Sequence, residues 1–434
     1  MSEWKHNDLG QHVILITKGT TPMSLGRSFQ ESGINFIKAE SITDSGRIIR
    51  DSLAFIDHDT HSLLKRSQLI SGDVLFSIAG VLGRVTLVGG EFIPANINQA
   101  LALIRVKDKH EIDRLYLKYY LTSDYVKQQV RRINVQAAQA NFSLADVNGL
   151  LVRYPKSIEV QRKIATILST IDKVIEKTEA AIEKYKAIKA GMMQDLFTRG
   201  IDTQTGKLRP TFEEAPELYK ESELGWIPKE WEAGRFGDIC KVKAGYSFKS
   251  SEFGSNGYRL IRISNIQEYT VKNLENDVFI TPNLSTQEYE LKLGDLLIAL
   301  SGATTGKVGL VKRESLPALL NQRVGLFEPQ DNTSIDYVYQ IVSDDSYQKS
   351  ILDNCPSSAQ PNVSPKYLEA VLIKYAKDQH EQALIVRLLK SIDSTIEAEY
   401  NQLKKSLKLK QGLMADLLSG KVRVNLNHDK VENR

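Results

Sequence analysis

The chain has 434 residues, 41% hydrophobic and 25% charged, an ordinary globular composition with length for about two to four domains. Its 57 Lys and Arg against 53 Asp and Glu leave a charge of +4, so any surface that binds nucleic acid has to be a local feature. Two cysteines, Cys240 and Cys355, exclude a disulfide framework; both are expected to be small buried fillers in a reducing cytosol.

The N-terminus, MSEWKHND, is charged where a secretory leader needs an apolar run, and no window approaches the ~18 apolar residues of a membrane span. A soluble cytoplasmic protein is expected. Short β-rich runs at 13–17, 36–39, 74–78, 85–88 and 101–106 predict strands, and helical periodicity follows at 115–131. From Ile164 the apolar positions step by four and three, through Leu168, Ile171, Ile175, Ile182, Tyr185 and Met192. That is a heptad seam, interrupted at Thr178 and blurred near Lys189. Residues 200–229, acidic and dotted with Gly206, Pro210, Pro216 and Pro228, read as a linker. Strands are predicted again at 258–263, 296–300, 308–311 and 324–327, and a helix at 337–352. A second seam runs through Ile385, Leu389, Ile392, Ile396, Leu403 and Leu413, interrupted at Glu399 and blurred near Lys410; residues 425–434 form a polar tail.

These elements are one plan written twice. IATILSTIDKVIE at 164–176 answers IVRLLKSIDSTIE at 385–397, which sets Asp172 against Asp393, 221 residues on. GDVLFSIAG at 72–80 answers GDLLIALSG at 294–302; Asn98-Gln99 answers Asn321-Gln322; Ile112-Asp113 answers Ile335-Asp336; Gln139-Ala-Asn141 answers Gln360-Pro-Asn362. So many matches in one order mean a duplicated domain-plus-helix unit, not a solenoid of short repeats. The expected architecture is mixed α/β: two homologous α/β domains and two long helices pairing as an antiparallel coiled coil, with internal pseudo-twofold symmetry. Each helix of about 38 residues would be about 57 Å long, which makes the pair a spacer. The framework repeats while the intervening surfaces differ, so two related but distinct recognition tasks are expected.

Catalytic signatures are missing. Gly302-Ala-Thr-Thr-Gly306-Lys307 is one residue short of a phosphate-binding P-loop and has Val308 where Ser or Thr belongs. Asp57-His58-Asp59-Thr60-His61 lacks a second ligand cluster and a counterpart in the other half. Asp277 with Glu290-Leu-Lys292 only loosely matches an acidic nuclease pattern, and no G-x-S-x-G, H-E-x-x-H or Asn-Pro-Pro-aromatic motif occurs. Arg or Lys beside Asn or Gln is the set that reads guanine and adenine edges. The loop Lys18-Gly-Thr20-Thr with Arg27, its counterpart Lys243-Ala-Gly-Tyr246-Ser-Phe-Lys249, and the cations Arg84 and Lys307 after duplicated turns are therefore DNA-facing candidates. Gln99, Gln139, Asn141, Gln322, Arg323, Gln360 and Asn362 join them. Ile164, Leu168, Ile171, Ile175 and Ile182, with Ile385, Leu389, Ile392, Ile396 and Leu403, are the candidates for helix pairing and partner docking. No metal ligand is expected.

The pattern Gln139-Ala-Asn141, Leu150-Leu-Val, Tyr154-Pro155, Gln161, Ser169-Thr-Ile-Asp172 and MMQDLF from Met192 resembles the DNA-specificity subunits of type I restriction–modification enzymes. Gln360-Pro-Asn362, Glu381-Gln382, Ser391-Ile-Asp393 and GLMADLL from Gly412 repeat it, and Gly225-Trp226-Ile-Pro-Lys-Glu-Trp231 looks like the entry to that family's second recognition domain. The family's proline-rich helix entry is reduced here to Tyr154-Pro155 and Tyr375-Ala376. The resemblance implies recognition domains at 1–153 and 229–374, long helices at 154–200 and 375–421, a linker at 201–228 and a tail at 422–434. It implies a non-catalytic subunit whose domains each read half of a bipartite site in double-stranded DNA. The helices would set the gap and dock two methyltransferase subunits. S-adenosylmethionine, ATP and magnesium would belong to partner subunits, which can include two motor–nuclease subunits. A self-sufficient metal-dependent nuclease or modification enzyme, and a coiled-coil scaffold without nucleic acid, are the competing readings.

Overall fold

The computed structural model describes residues 4–107, 111–135, 142–267, 269–330, 332–353 and 362–426; the candidates Gln139, Asn141 and Gln360, and Cys355, lie outside these. The chain divides into two units, Met1–Ala180 with Tyr400–Arg434, and Ala181–Glu399.

In the first unit the strands Val13–Lys18, Leu101–Val106, Val74–Ser77 and Val85–Leu87 lie side by side in that order, antiparallel. Val74–Ser77 is buried along its whole length. Val74 and Phe76 enter one core with Ile104 and Tyr116, while Leu75 enters another with Leu69 and Leu103. Alternating side chains of one strand thus serve two cores, which is why the sequence there is an unbroken apolar run. The second unit repeats this through Leu296–Ala299: Leu296 and Ile298 join Phe327 and Tyr337, Leu297 and Ala299 join Ile261 and Val324. Its larger sheet orders Cys240–Ala244, Val324–Pro329, Leu296–Ala299, Val308–Leu310, Tyr269–Val271 and Ile266–Gln267.

Each unit also has a three-stranded sheet, centred on Ile34–Ile37 and on Tyr258–Ile261, with one parallel and one antiparallel neighbour. A two-stranded ribbon completes each, Trp4–Asp8 with Leu151–Pro155 and Trp231–Arg235 with Leu372–Ala376.

Three expectations change. The single helices expected at 115–131 and 337–352 are each two, Arg114–Leu121 with Asp124–Val135 and Ile335–Val342 with Asp345–Asp353. Thr122 bonds back to the Tyr119 carbonyl at 2.8 Å, the competition by which hydroxyl residues end helices. The caps also correct the registration of the copies: Asp113 and Ser334 occupy the same N-cap position, so Ile112-Asp113 corresponds to Thr333-Ser334 and not to Ile335-Asp336.

The segment expected to be a linker carries paired strands. Ile201–Asp202 pairs with Lys207–Leu208, and Tyr219–Ser222 with Gly225–Pro228; the glycines and prolines mark hairpin turns and ends. Arg209 anchors the segment, both its terminal nitrogens on the buried Glu381 carboxylate at 2.5 and 3.0 Å. Glu381 also accepts from Trp231 Nε1 at 3.0 Å and from the Ile201 amide at 2.7 Å. Four donors around one buried carboxylate offset its desolvation.

The long helices span Ile158–Arg199 and Gln379–Ser419, 42 and 41 residues. Gln161 and Gln382 secure their starts, donating to the carbonyls of Pro155 at 2.8 Å and Ala376 at 2.9 Å. Gly200 and Gly420, at φ 65 and 76, close their ends in the left-handed conformation that glycine adopts freely. Within the first unit Ile164 and Leu168 share a core with Leu417 and Leu418; within the second Met193 and Leu196 share one with Ile385 and Leu389. In each unit, therefore, the start of one helix runs against the end of the other.

Candidate nucleic-acid interface

The recognition candidates of the first unit gather where the strand Val13–Lys18 ends. The Gly19 amide donates to the Asn98 carbonyl at 3.2 Å, and a Cβ on Gly19 would sit 1.7 Å from the Ile97 carbonyl oxygen. Only glycine allows so close an approach. Thr21 then donates to the Gln99 side chain, and Arg66 Nη2 donates to Thr20 Oγ1 at 2.9 Å. Lys18, Thr20 and Gln99 are thus brought together, with Lys18 and Arg27 exposed. Arg66 joins this group without having been singled out from the sequence; its only signal there is the basic pair Lys65-Arg66.

The second unit repeats the backbone and changes the side chains. A Cβ on Gly245 would lie 2.3 Å from the Leu320 carbonyl oxygen, and the Gln322 amide donates to the Tyr246 carbonyl at 2.9 Å. Tyr246 packs against the rings of Phe248 and Tyr289. Lys243 donates to the Glu288 carbonyl at 2.8 Å and lies over the Tyr289 ring, so it shapes the loop instead of projecting from it. Lys249, Gln322 and Arg323 are exposed. Gln322, Arg323 and Asn362 line one shallow depression with Ala244, Leu300 and Ser364.

The duplicated glycine turns use part of their backbone to close themselves. Gly80 and Gly83, and Gly302 and Gly306, all have positive φ. The amides at the ends of the turns, however, are engaged: Gly83 N on Ser77 O at 3.0 Å, Gly306 N on Ala299 O at 2.9 Å and Lys307 N on Thr304 O at 3.0 Å. Arg84 is paired with Asp44 at 2.7 Å; Lys307 is exposed. The other chemical patterns are likewise structural. Asp57 caps the helix His58–Leu63 through the Thr60 amide at 2.6 Å, and His61 Nδ1 is 2.5 Å from Asn96 Oδ1. Asp277 is closed in by Arg259, by Asn265 Nδ2 at 2.6 Å and by the Leu274 amide at 2.8 Å.

Along the helices, Ile164, Leu168, Ile171, Ile175, Ile182, Ile385 and Leu389 are buried, while Ile392, Ile396 and Leu403 are half-buried. Thr178 does not interrupt the first helix; it is buried and bonds back to the Val174 carbonyl at 2.9 Å. Met193 is the buried methionine near its end, and Met192 is half-buried. The lysines that blur both heptads form ion pairs between the helices. Lys410 meets Asp172 at 2.6 Å within the first unit, and Lys189 meets Asp393 at 2.6 Å within the second. Asp172 further accepts from Tyr119 Oη at 2.7 Å and Lys118 Nζ at 3.4 Å. Burial pushes its carboxyl pKa up, but Lys410, Lys118 and Tyr119 together hold it below the usual range.

Comparison with known proteins adds the following. The type I restriction modification DNA specificity domain family matches residues 1–184 and again 228–409. The type I restriction enzyme MjaVIII specificity subunit of Methanocaldococcus jannaschii is 29% identical over 336 residues, 75% of this chain and 74% of the relative. The putative MjaX specificity subunit of the same organism is 27% identical over 434 residues, 97% of this chain and 94% of the relative. Among solved structures, the type I restriction–modification S subunit from M. genitalium superposes with a TM-score of 0.59 at 16% identity, covering 96% of both chains, a likeness of fold.

Proposed function

Because the chain belongs to the type I restriction–modification DNA specificity domain family, carrying that domain twice, we propose that its two units each read one half of a bipartite site in double-stranded DNA. One observation carries the reading. The same glycine-pinned loop and Asn-Gln turn recur in both units while the side chains around the glycine differ, Lys18, Thr20 and Thr21 against Ala244, Tyr246 and Ser247. A shared scaffold with divergent polar loops is what two different half-sites require.

The long helices set the gap between half-sites and dock two methyltransferase subunits, which supply the S-adenosylmethionine chemistry. Motor–nuclease subunits with ATP and magnesium join where restriction is carried out. This chain contributes recognition and no catalysis, and works in the cytoplasm; no helix among the described residues is long and apolar enough to cross a membrane. The engaged state of Asp277 speaks against the nuclease reading, which needed that carboxylate beside Glu290 and Lys292.

The test is to map the sites methylated by the assembled complex, then exchange residues 1–153 for those of a relative. One half of the target should change and the other stay. Inserting one helical turn into both long helices should alter the gap alone. A target that changes in both halves, or a complex with equal affinity for all duplexes, would overturn the reading.

A further inference from the structure

The loop between Gly19 and Phe29 differs from its counterpart between Gly245 and Phe253 in length and in what it exposes. It is two residues longer, and its extra reach presents Met23 and Leu25, 70% and 49% exposed. In the second unit the apolar residues of the loop turn inward: Phe248 is 7% exposed and Phe253 packs beside it. Met23 and Leu25 are not on a loose strand. Residues Pro22–Leu25 form a 3-10 turn opened by proline and closed by Gly26 at φ 68, whose amide donates to the Met23 carbonyl at 3.1 Å. Arg27 N returns to the Pro22 carbonyl at 3.1 Å, and Ser24 Oγ to the Thr21 carbonyl at 2.7 Å. The base of the turn is held by Thr21 on Gln99 and by Arg66 on Thr20.

A rigid turn that holds two apolar side chains in water is arranged for a partner. The surrounding charge selects which partner: Lys18 and Arg27 flank the turn, Arg66 supports it, and residues 18–30 contain no Asp or Glu. Cations beside an apolar tip match a polyanion that also offers an apolar group. In the DNA major groove that group is the thymine 5-methyl, the one apolar feature on a base edge.

We infer that Met23 and Leu25 contact thymine methyl groups in the half-site read by the first unit, a contact the second unit does not make. The inference rests on the two-domain reading proposed above.

It is tested with the full chain assembled with its methyltransferase subunit, on the mapped target duplex. Replacing thymine by uracil removes only the methyl group. Uracil in one half-site should weaken binding about fourfold per contacted methyl, the effect of one buried methylene-sized group; uracil in the other half-site should change nothing. The double variant Met23→Ser with Leu25→Ser should lose that sensitivity and keep the salt dependence of binding, which reports phosphate contacts. Equal affinity for thymine and uracil in both halves, a half-site without thymine, or a double variant that keeps the wild-type ratio overturns the inference. So does a variant that fails to assemble with the methyltransferase, since the turn then serves a protein contact. The preference for target over scrambled duplex, measured alongside, reports on the two-domain reading separately: a complex that is target-selective but blind to uracil overturns this inference alone.

Discussion

Asp73 and Asp295 follow the same left-handed glycine, Gly72 at φ 90 and Gly294 at φ 88, and each accepts a backbone amide within its own turn. Their surroundings then diverge. Asp73, 1% exposed, is gripped by Arg105 through two hydrogen bonds of 2.8 Å. Arg105 is the fifth residue of the strand Leu101–Val106; the fifth residue of the equivalent Val324–Pro329 is Glu328. No ion pair to Asp295 is found among the described residues, and burial raises its carboxyl pKa against the Lys292 amide. The second unit instead has a buried pair at Glu381, where the first unit has Val160 at the equivalent point of helix entry. Duplication has kept the backbone and redistributed the charge: the framework is fixed by glycines and apolar runs, whereas the cation for a buried carboxylate comes from whichever element lies near, as at Asp73 and Glu381, and Asp295 goes without one among the described residues.

The largest consequence is expected at Glu381. Glu381→Ala leaves the buried Arg209 with only the longer contact to the exposed Glu230, at 3.7 Å, and costs about 3 kcal/mol. Hydrogen exchange should show the loss in the hairpins of residues 201–228 and the strand Trp231–Arg235, with Val160→Ala far milder in the first unit. Replacing Arg209 and Glu381 together by methionine should recover much of the loss, since no charge is then stranded. Asp73→Asn comes next, at about 1.5–3 kcal/mol by urea unfolding, because it removes a charge-assisted pair but keeps the acceptor for the Ile70 amide. Smaller again is the pair between the helices. Lys189→Met leaves Asp393 without its lysine, about 1 kcal/mol for a partly exposed site. Lys410→Met should cost less, because Lys118 and Tyr119 still hold Asp172. Equal losses would show that those two residues do not share the load.

Much of this was legible in the sequence. The duplication, the buried strands around Val74 and Leu296 and the helix entry at Gln161 and Gln382 all announce themselves as pattern, because burial on both faces and backbone approach tolerate few residue types. The lysines at 189 and 410 were visible only as flaws in a heptad. Their meaning depends on which residue of the other helix lies opposite, and a single helix period does not state that. The segment 201–228 read as a linker for the same reason: its hairpins are fixed by Arg209 reaching Glu381, 172 residues away. At the interface, sequence chose Lys243 and Arg84 by chemical type, yet both are engaged by neighbours, Glu288 and Asp44. Partners distant in sequence decide which cations remain available.

Asp295 carries the smallest effect and the one with the opposite sign. Its pKa in the folded chain is raised above the ordinary 3.8 by desolvation, so the native state holds its proton more tightly than the unfolded state does. Stability from this group is present below the unfolded pKa and lost as pH rises through the folded one. At neutral pH the ionised carboxylate is therefore a net burden, and asparagine, which still accepts the Lys292 amide at 2.7 Å, removes it. Asp295→Asn should raise the Tm of the second unit at pH 7, by no more than about 2–4 °C. The gain should fade as pH falls through the unfolded value of 3.8 and be gone about a unit lower, where the wild-type group is protonated in both states. Asp73→Asn destabilises at pH 7, so one substitution at one place in a duplicated scaffold is expected to act in opposite directions. Destabilisation by both would mean that an unseen cation serves Asp295 and that the two copies balance this carboxylate alike.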